Sequence, residues 1–371
     1  MLSMLLLTFL SFLSPAYQQP DQIASMFNRA VELQRQGALK EAAEEYRAVL
    51  AATPGYAEAR ANLGVVLSRL GNYEDAISAY QEALRLNPEL TPILLNLGIA
   101  HYRVGQFAKA VEALERFLAI APNHTQAHQL IGISLVELGR ERDGIPHLES
   151  TLPAADDDVT VLYSLGLAYL RLGRPELDSI LTRLVARSDG AALARLLQGQ
   201  AHLESLEIEK AAADLEAAER LSPDLPRLQF LLGLAYFKLG KSAEARVRYE
   251  RELTRAPTDF LTLYYLAVVL DQQGDLNGAK QRIEAAISQE PQSAEALTLM
   301  GTLLLKQGNA QDAVRVLEQA AIRQPLNSEA HYQLARSYQK LGRKQDAARE
   351  FAEVERIKAQ ERDRERGRSK Q

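Results

Sequence analysis

AEARANLGVVLSRLGNYEDAISAYQEALRLNPEL, residues 57–90, is one helix, a tight turn, a second helix and a stop. Leu63, Gly64 and Leu67 recur at three- and four-residue steps, the period of a helix face. Gly71-Asn72 breaks the run, because glycine reaches the left-handed conformation that closes a helix C-terminus. Ala76, Tyr80 and Ala83 carry the second run, and Asn87-Pro88 ends it where proline can neither donate nor fit.

The same pattern restarts about every 34 residues along the chain. Gly37, Gly71, Gly105, Gly139 and Gly173 mark one position of the repeat, and after a gap of 67 residues Gly240, Gly274, Gly308 and Gly342 resume it. Gly64, Gly98, Gly132, Gly166, Gly199, Gly233 and Gly301 mark another. Pro54, Pro88, Pro122, Pro223, Pro257, Pro291 and Pro325 recur at the stop. Aligned on these residues, the chain divides into ten units: 23–56, 57–90, 91–124, 125–158, 159–191, 192–225, 226–259, 260–293, 294–327 and 328–361. A fixed period of this length means stacked copies of one supersecondary unit, not a single core. Glycine costs about 1 kcal/mol inside a helix, so its recurrence mid-helix implies close approach of a neighbour. Ala42, Ala76, Ala110, Ala211, Ala245, Ala279, Ala313 and Ala347 play the same part in the second helix.

Leu63-Gly64, Leu67, Gly71, Ala76, Tyr80, Ala83 and Pro88 resemble the tetratricopeptide repeat signature, and the other units match it to varying degree over about residues 23–361. The resemblance implies an all-α, right-handed superhelical solenoid of about ten helix-turn-helix repeats, with the first helices lining a concave groove. It also implies a groove that binds peptides, extended segments or partner proteins.

The array is divided here into repeats 1–4 (23–158), irregular repeats 5–6 (159–225), repeats 7–10 (226–361) and a charged tail (362–371). Irregularity begins in the fourth unit, where Gly144 replaces the packing alanine, Pro146 falls inside the second helix, and the exit is Pro153-Ala154-Ala155-Asp156-Asp157-Asp158. Unit 159–191 is one residue short with Asp178 at the alanine position, and Leu206 replaces the turn glycine of the next unit. A soft joint at repeats 4–6 is one reading, and drift without mechanical meaning is the other.

Composition narrows the function. A hydrophobic share of 47% with 25% charged residues is that of a folded protein, and a net charge of −5 gives no basic field for nucleic acid. The absence of cysteine removes disulfides, thiolate metal sites and a cysteine nucleophile. Leu2 to Leu13 is almost wholly apolar and is followed by Ser14-Pro15-Ala16, as in a cleavable export signal spanning 1–16, although no Lys or Arg precedes it. The expectation is an exported protein, periplasmic or secreted, with an uncleaved N-terminal anchor as the alternative and no transmembrane span after signal removal.

No catalytic constellation, phosphate loop or cofactor motif stands out, so the chain reads as a non-enzyme without cofactor or metal. The histidines fall largely at packing positions. His124 and His128 are spaced like two helical metal ligands, but nothing completes a set. Groove candidates are three. Asn28, Asn62 and Asn96 form an amide row able to hold the backbone of an extended chain. Arg35, Arg69, Arg103 and Arg171, continued by Lys238, Lys306 and Lys340, form a basic row that suits an acidic partner or, alternatively, complements helix dipoles. Tyr163, Phe230, Phe237 and Tyr264, with Tyr265, Leu167, Leu170, Leu203 and Leu234, offer an apolar stretch for a peptide or helix, or are core. The two-carboxylate clamp of chaperone-binding relatives is not reproduced, since Phe27, Ala61 and Val31 stand at its positions. The partner expected is therefore a protein or peptide, acidic or extended. The alternative is an accessory subunit of an envelope-assembly or secretion complex that binds a folded partner, and an enzyme with a hidden site is the remaining reading.

Overall fold

The computed structural model describes residues 20–152 and 158–368. The expected signal and the Pro153–Asp157 exit lie outside the described residues. Among those described there are twenty helices and no strand, and the chain divides into two compact units, 1–183 and 184–371.

Unit 1 holds α1 (Pro20–Gln36), α2 (Leu39–Ala52), α3 (Ala57–Arg69), α4 (Tyr73–Leu86), α5 (Ile93–Arg103), α6 (Phe107–Leu118), α7 (Thr125–Glu137), α8 (Glu141–Glu149) and α9 (Val159–Arg171), and ends within α10 (Leu177–Val185). Unit 2 holds α11 (Ala191–Glu204), α12 (Ile208–Leu221), α13 (Leu228–Lys238), α14 (Ser242–Leu253), α15 (Phe260–Gln272), α16 (Leu276–Gln289), α17 (Ala294–Lys306), α18 (Ala310–Arg323), α19 (Ser328–Lys340) and α20 (Lys344–Arg368). The second helices of the fourth and fifth repeats, α8 and α10, are only nine residues long, and α8 carries Pro146 in its interior.

Each hairpin closes the same way. The residue after the turn donates its amide to the carbonyl five residues back, as Asn72 does to Leu67 at 2.9 Å and Asp275 to Leu270 at 2.9 Å. That bond requires a left-handed residue between them, and the nine turn glycines supply it with φ between 61° and 84°. Leu206 adopts it too, at φ 59°, and Glu207 still donates to the His202 carbonyl at 2.8 Å. The hairpin geometry dictates the backbone even where the side chain resists it.

Within each unit successive first helices touch one another: α1, α3, α5, α7 and α9 in unit 1, and α11, α13, α15, α17 and α19 in unit 2. Among the described residues successive second helices do not. Each unit therefore curves with its first helices on the inner side. The core runs between the layers, where Ala42, Ala76, Ala110, Ala211, Ala245, Ala279 and Ala313 are fully buried and let the helices of a hairpin close on each other.

Candidate interaction surface

On the inner layer of unit 1, α1, α3 and α5 carry Asn28, Asn62 and Asn96 one repeat apart. Asn28 is exposed, and Asn62 and Asn96 are half-buried. Asn62 is already engaged with the Tyr46 hydroxyl, which donates to Gln34 Oε1 at 2.8 Å. Burial pushes the Tyr46 phenol up to about 12 against the opposing pull of Asn62.

The basic row has structural work in both units. Arg69 Nη1 donates to the Gln34 carbonyl at 3.2 Å, Arg171 Nη1 to the Val136 carbonyl at 2.8 Å, and Lys340 Nζ to the Leu305 carbonyl at 3.3 Å. Each reaches 35 residues back, to the end of the preceding first helix, where unpaired carbonyls concentrate negative potential. Lys306 instead binds Asp271, at 2.6 Å. Arg171 also pairs with Glu141 at 3.0 Å. These cations staple neighbouring repeats. Arg35, Arg103 and Lys238 are exposed.

The aromatic candidates divide by burial. Phe230 is only 5% exposed, enclosed by Tyr249 at 6.1 Å and Tyr265 at 6.0 Å between ring centres, with the Arg227 guanidinium 5.1 Å from its own. It belongs to the core of unit 2 and offers no groove surface. The reason is local: the rings of α14 and α15 close over it. Tyr249 is fully buried, its hydroxyl lacks a hydrogen-bond partner, and burial drives its pKa upward. Phe237 and Tyr264 are half-buried, each stacked edge-on against Tyr265 at 5.9 and 5.5 Å. Tyr163 on α9 is half-buried as well.

Two sets of contacts escape a reading of the sequence because they join residues of different repeats. Tyr169, Tyr236 and Tyr338 each donate to a glutamate twenty residues earlier: Glu149 at 2.5 Å, Glu216 at 2.9 Å and Glu318 at 2.6 Å. A cation five residues later covers each ring, namely Arg174, Lys241 and Arg343. The second set centres on Glu219, which accepts from Gln229 at 2.9 Å, Arg248 at 2.5 Å and Arg251 at 3.1 Å. The only visible signal for the first set was an aromatic residue recurring at one repeat position.

The histidines lie at packing positions and caps. His101 is buried with Nδ1 2.9 Å from Gln106 Oε1, and burial lowers its pKa. His202 pairs with Asp214 at 2.8 Å, and His124 caps α7 by accepting from the Ala127 amide at 3.2 Å. Among the described residues no group of three or more His, Cys, Asp or Glu is placed to hold a metal ion, and no helix is long and apolar enough to cross a membrane.

Known proteins give the same fold. The tetratricopeptide repeat family matches residues 27–90, 130–192, 196–260 and 298–362, with further matches of that family at 67–132 and 261–293. The chain belongs to the tetratricopeptide repeat family, whose fold is that of protein–protein interaction scaffolds. Among solved structures, the APC/C heterotetramer Cut9–Hcn1 matches at a TM-score of 0.58 and 15% identity, over 92% of this chain and 82% of that one. MamA from Desulfovibrio magneticus RS-1 is similar over 46% of this chain and 96% of its own, at 20% identity and a TM-score of 0.43. At 15% identity the likeness to Cut9–Hcn1 concerns the fold alone. Among curated proteins no match was found.

Proposed function

We propose that this protein is a non-catalytic scaffold that holds an extended segment of a partner protein along the inner, first-helix face of its repeats. The observation that carries the reading is the one-per-repeat placement of Asn28, Asn62 and Asn96 on adjoining helices of the inner layer. Amides both donate and accept, so a row of them serves a partner's backbone whatever its side chains. A preformed face lowers the ordering cost of holding such a segment. Exposed Arg35 and Arg103 favour an acidic one. In unit 2 the half-buried Phe237 and Tyr264 add apolar contact of the kind that anchors an interface. We place the protein outside the cytoplasm on the strength of the apolar stretch Leu2 to Leu13 and the small residues after it.

A second reading, an accessory subunit of an envelope-assembly or secretion complex, is favoured by Val247 and Ile322, exposed on the second helices α14 and α18. A peptide array probed with the purified protein separates the two. Binding of extended peptides that falls at least tenfold in Arg103→Glu and Asn28→Ala supports the groove. Peptide binding unaffected by these changes and by Tyr264→Ala, or no peptide binding at all, contradicts it.

A further inference from the structure

His128 on α7 and His147 on α8 meet end-on. Their Nδ1 atoms are 2.8 Å apart and their ring centres 5.0 Å apart. On its far side, His128 Nε2 lies 2.8 Å from the Pro122 carbonyl, which can only accept. That contact places a proton on His128 Nε2 and leaves its Nδ1 bare in the neutral ring. The proton between the rings is then the one on His147 Nδ1, donated to His128. A tetrahedral zinc ion bonded to both nitrogens at about 2.0–2.1 Å would hold them roughly 3.3 Å apart, so the observed 2.8 Å is that of a shared proton.

Unit 2 contains the same arrangement with one change. His331 Nε2 faces the Pro325 carbonyl six residues earlier at 3.3 Å, and its Nδ1 is 2.6 Å from Glu350 Oε2, nineteen residues later. His128 has the same two offsets, six to Pro122 and nineteen to His147. Both partners of His331 accept, so its two bonds are complete when the ring carries two protons. The unit 1 version replaces that carboxylate with a second imidazole.

We propose that His128 and His147 form a proton latch across the fourth hairpin, which holds with no added proton or one and opens when a second arrives. One added proton leaves both Nε2 atoms protonated and a single proton between the two Nδ1 atoms, and the bond strengthens because its donor ring is then a cation. The second must land on the Nδ1 that is still accepting, whichever ring holds the shared proton. It breaks the bond and sets two cations against each other at contact distance. The surrounding charges cannot offset this fully. Glu115 on α6 and Asp143 on α8 attract a charged His147, while burial and the His128 charge oppose it with the larger effect, so its pKa is lowered. The lone charged side chain of α9, Arg171, is held by Glu141. His124 is occupied as the α7 cap against the Phe117 ring. A depressed imidazole pKa gives stability that is complete above about pH 6.5 and is lost as pH falls below it. Acid therefore loosens the α7–α8 hairpin, whose short second helix already carries a proline.

The test is a histidine-labelled nuclear magnetic resonance titration of the full chain, with amide exchange of residues 124–152 measured at pH 7 and pH 5. His147 is expected to titrate below the ordinary imidazole range, coupled to the charge of the ring it faces. Exchange, corrected for the intrinsic pH dependence, should rise about tenfold at pH 5. His147→Glu, which copies the unit 2 arrangement, should reduce that rise to less than about twofold. Titration of His147 as an isolated imidazole near about 6.5, or equal acid loosening in the native chain and His147→Glu, overturns the latch. The titration of the native chain decides the matter even if the variant folds poorly.

Discussion

A methyl group placed on Gly64 would lie 2.6 Å from Cε1 of Tyr80, inside the closest approach that packed carbons allow. Tyr80 is fully buried, so its ring has nowhere to retreat. Gly64→Ala is expected to destabilise by about 1–3 kcal/mol through overpacking, despite the better helix propensity of alanine. Denaturant unfolding checks it, and a midpoint at or above that of the native chain counts against close packing as the reason for the glycine.

Leu206 stands in the left-handed conformation and is 72% exposed, so it bears the backbone strain without a packing return. Leu206→Gly removes a strain of about 1–2 kcal/mol and gives back roughly 0.5–1 in chain entropy. The net expectation is a gain of about 0.5–1 kcal/mol in thermal or denaturant unfolding. A loss would show that the leucine side chain is held by contacts that outweigh the strain.

Tyr46, Tyr80 and Tyr338 have phenols pushed up to about 12, chiefly by burial. In the unfolded chain a phenol ionises near about 10. The folded state therefore keeps protons that the unfolded state has lost, and stability falls as pH rises from about 10 towards 12. Unfolding midpoints followed from pH 9 to pH 12 by circular dichroism should drop over this window. Tyr338→Phe, although it gives up the bond to Glu318, should flatten its share of the slope, and an unchanged slope would contradict the assignment.

Glu219 is the shared acceptor of Gln229, Arg248 and Arg251. Removing it leaves the half-buried Arg248 without its carboxylate, a loss of about 1–3 kcal/mol for a hydrogen bond to a charged group. Glu219→Ala should lower the unfolding midpoint of unit 2 accordingly, while Glu82→Ala, which breaks only the exposed pair with Arg85, should leave the midpoint nearly unchanged. Similar losses in both would remove the network's claim to stabilise the array.

Much of this fold was legible because its geometry needs rare residues at fixed places. Gly71 and its counterparts announce the left-handed closure, and Pro88 and its counterparts announce the stop. Leu206 shows why the signal is imperfect: cooperative hairpin closure overrides one unfavourable side chain. The surface was harder to read, because a side chain's availability depends on residues a repeat or more away. Arg69 and Lys340 looked like groove cations, and the carbonyls they bind belong to the preceding repeat. Phe230 looked like a groove anchor, and rings from α14 and α15 bury it. The histidine pair was hidden because it joins the two helices of one hairpin: His128 was spaced to suggest His124 as its companion and found His147 instead.

Site-specific photo-crosslinking tests the central claim most directly. A photoreactive residue is placed at Asn28 or Tyr264 on the first helices, and at Ser78 or Val247 on the second helices, and the protein is returned to its native cell. The account predicts that first-helix positions capture a common partner through an extended segment of it while second-helix positions do not. Capture confined to Ser78 or Val247 would contradict it.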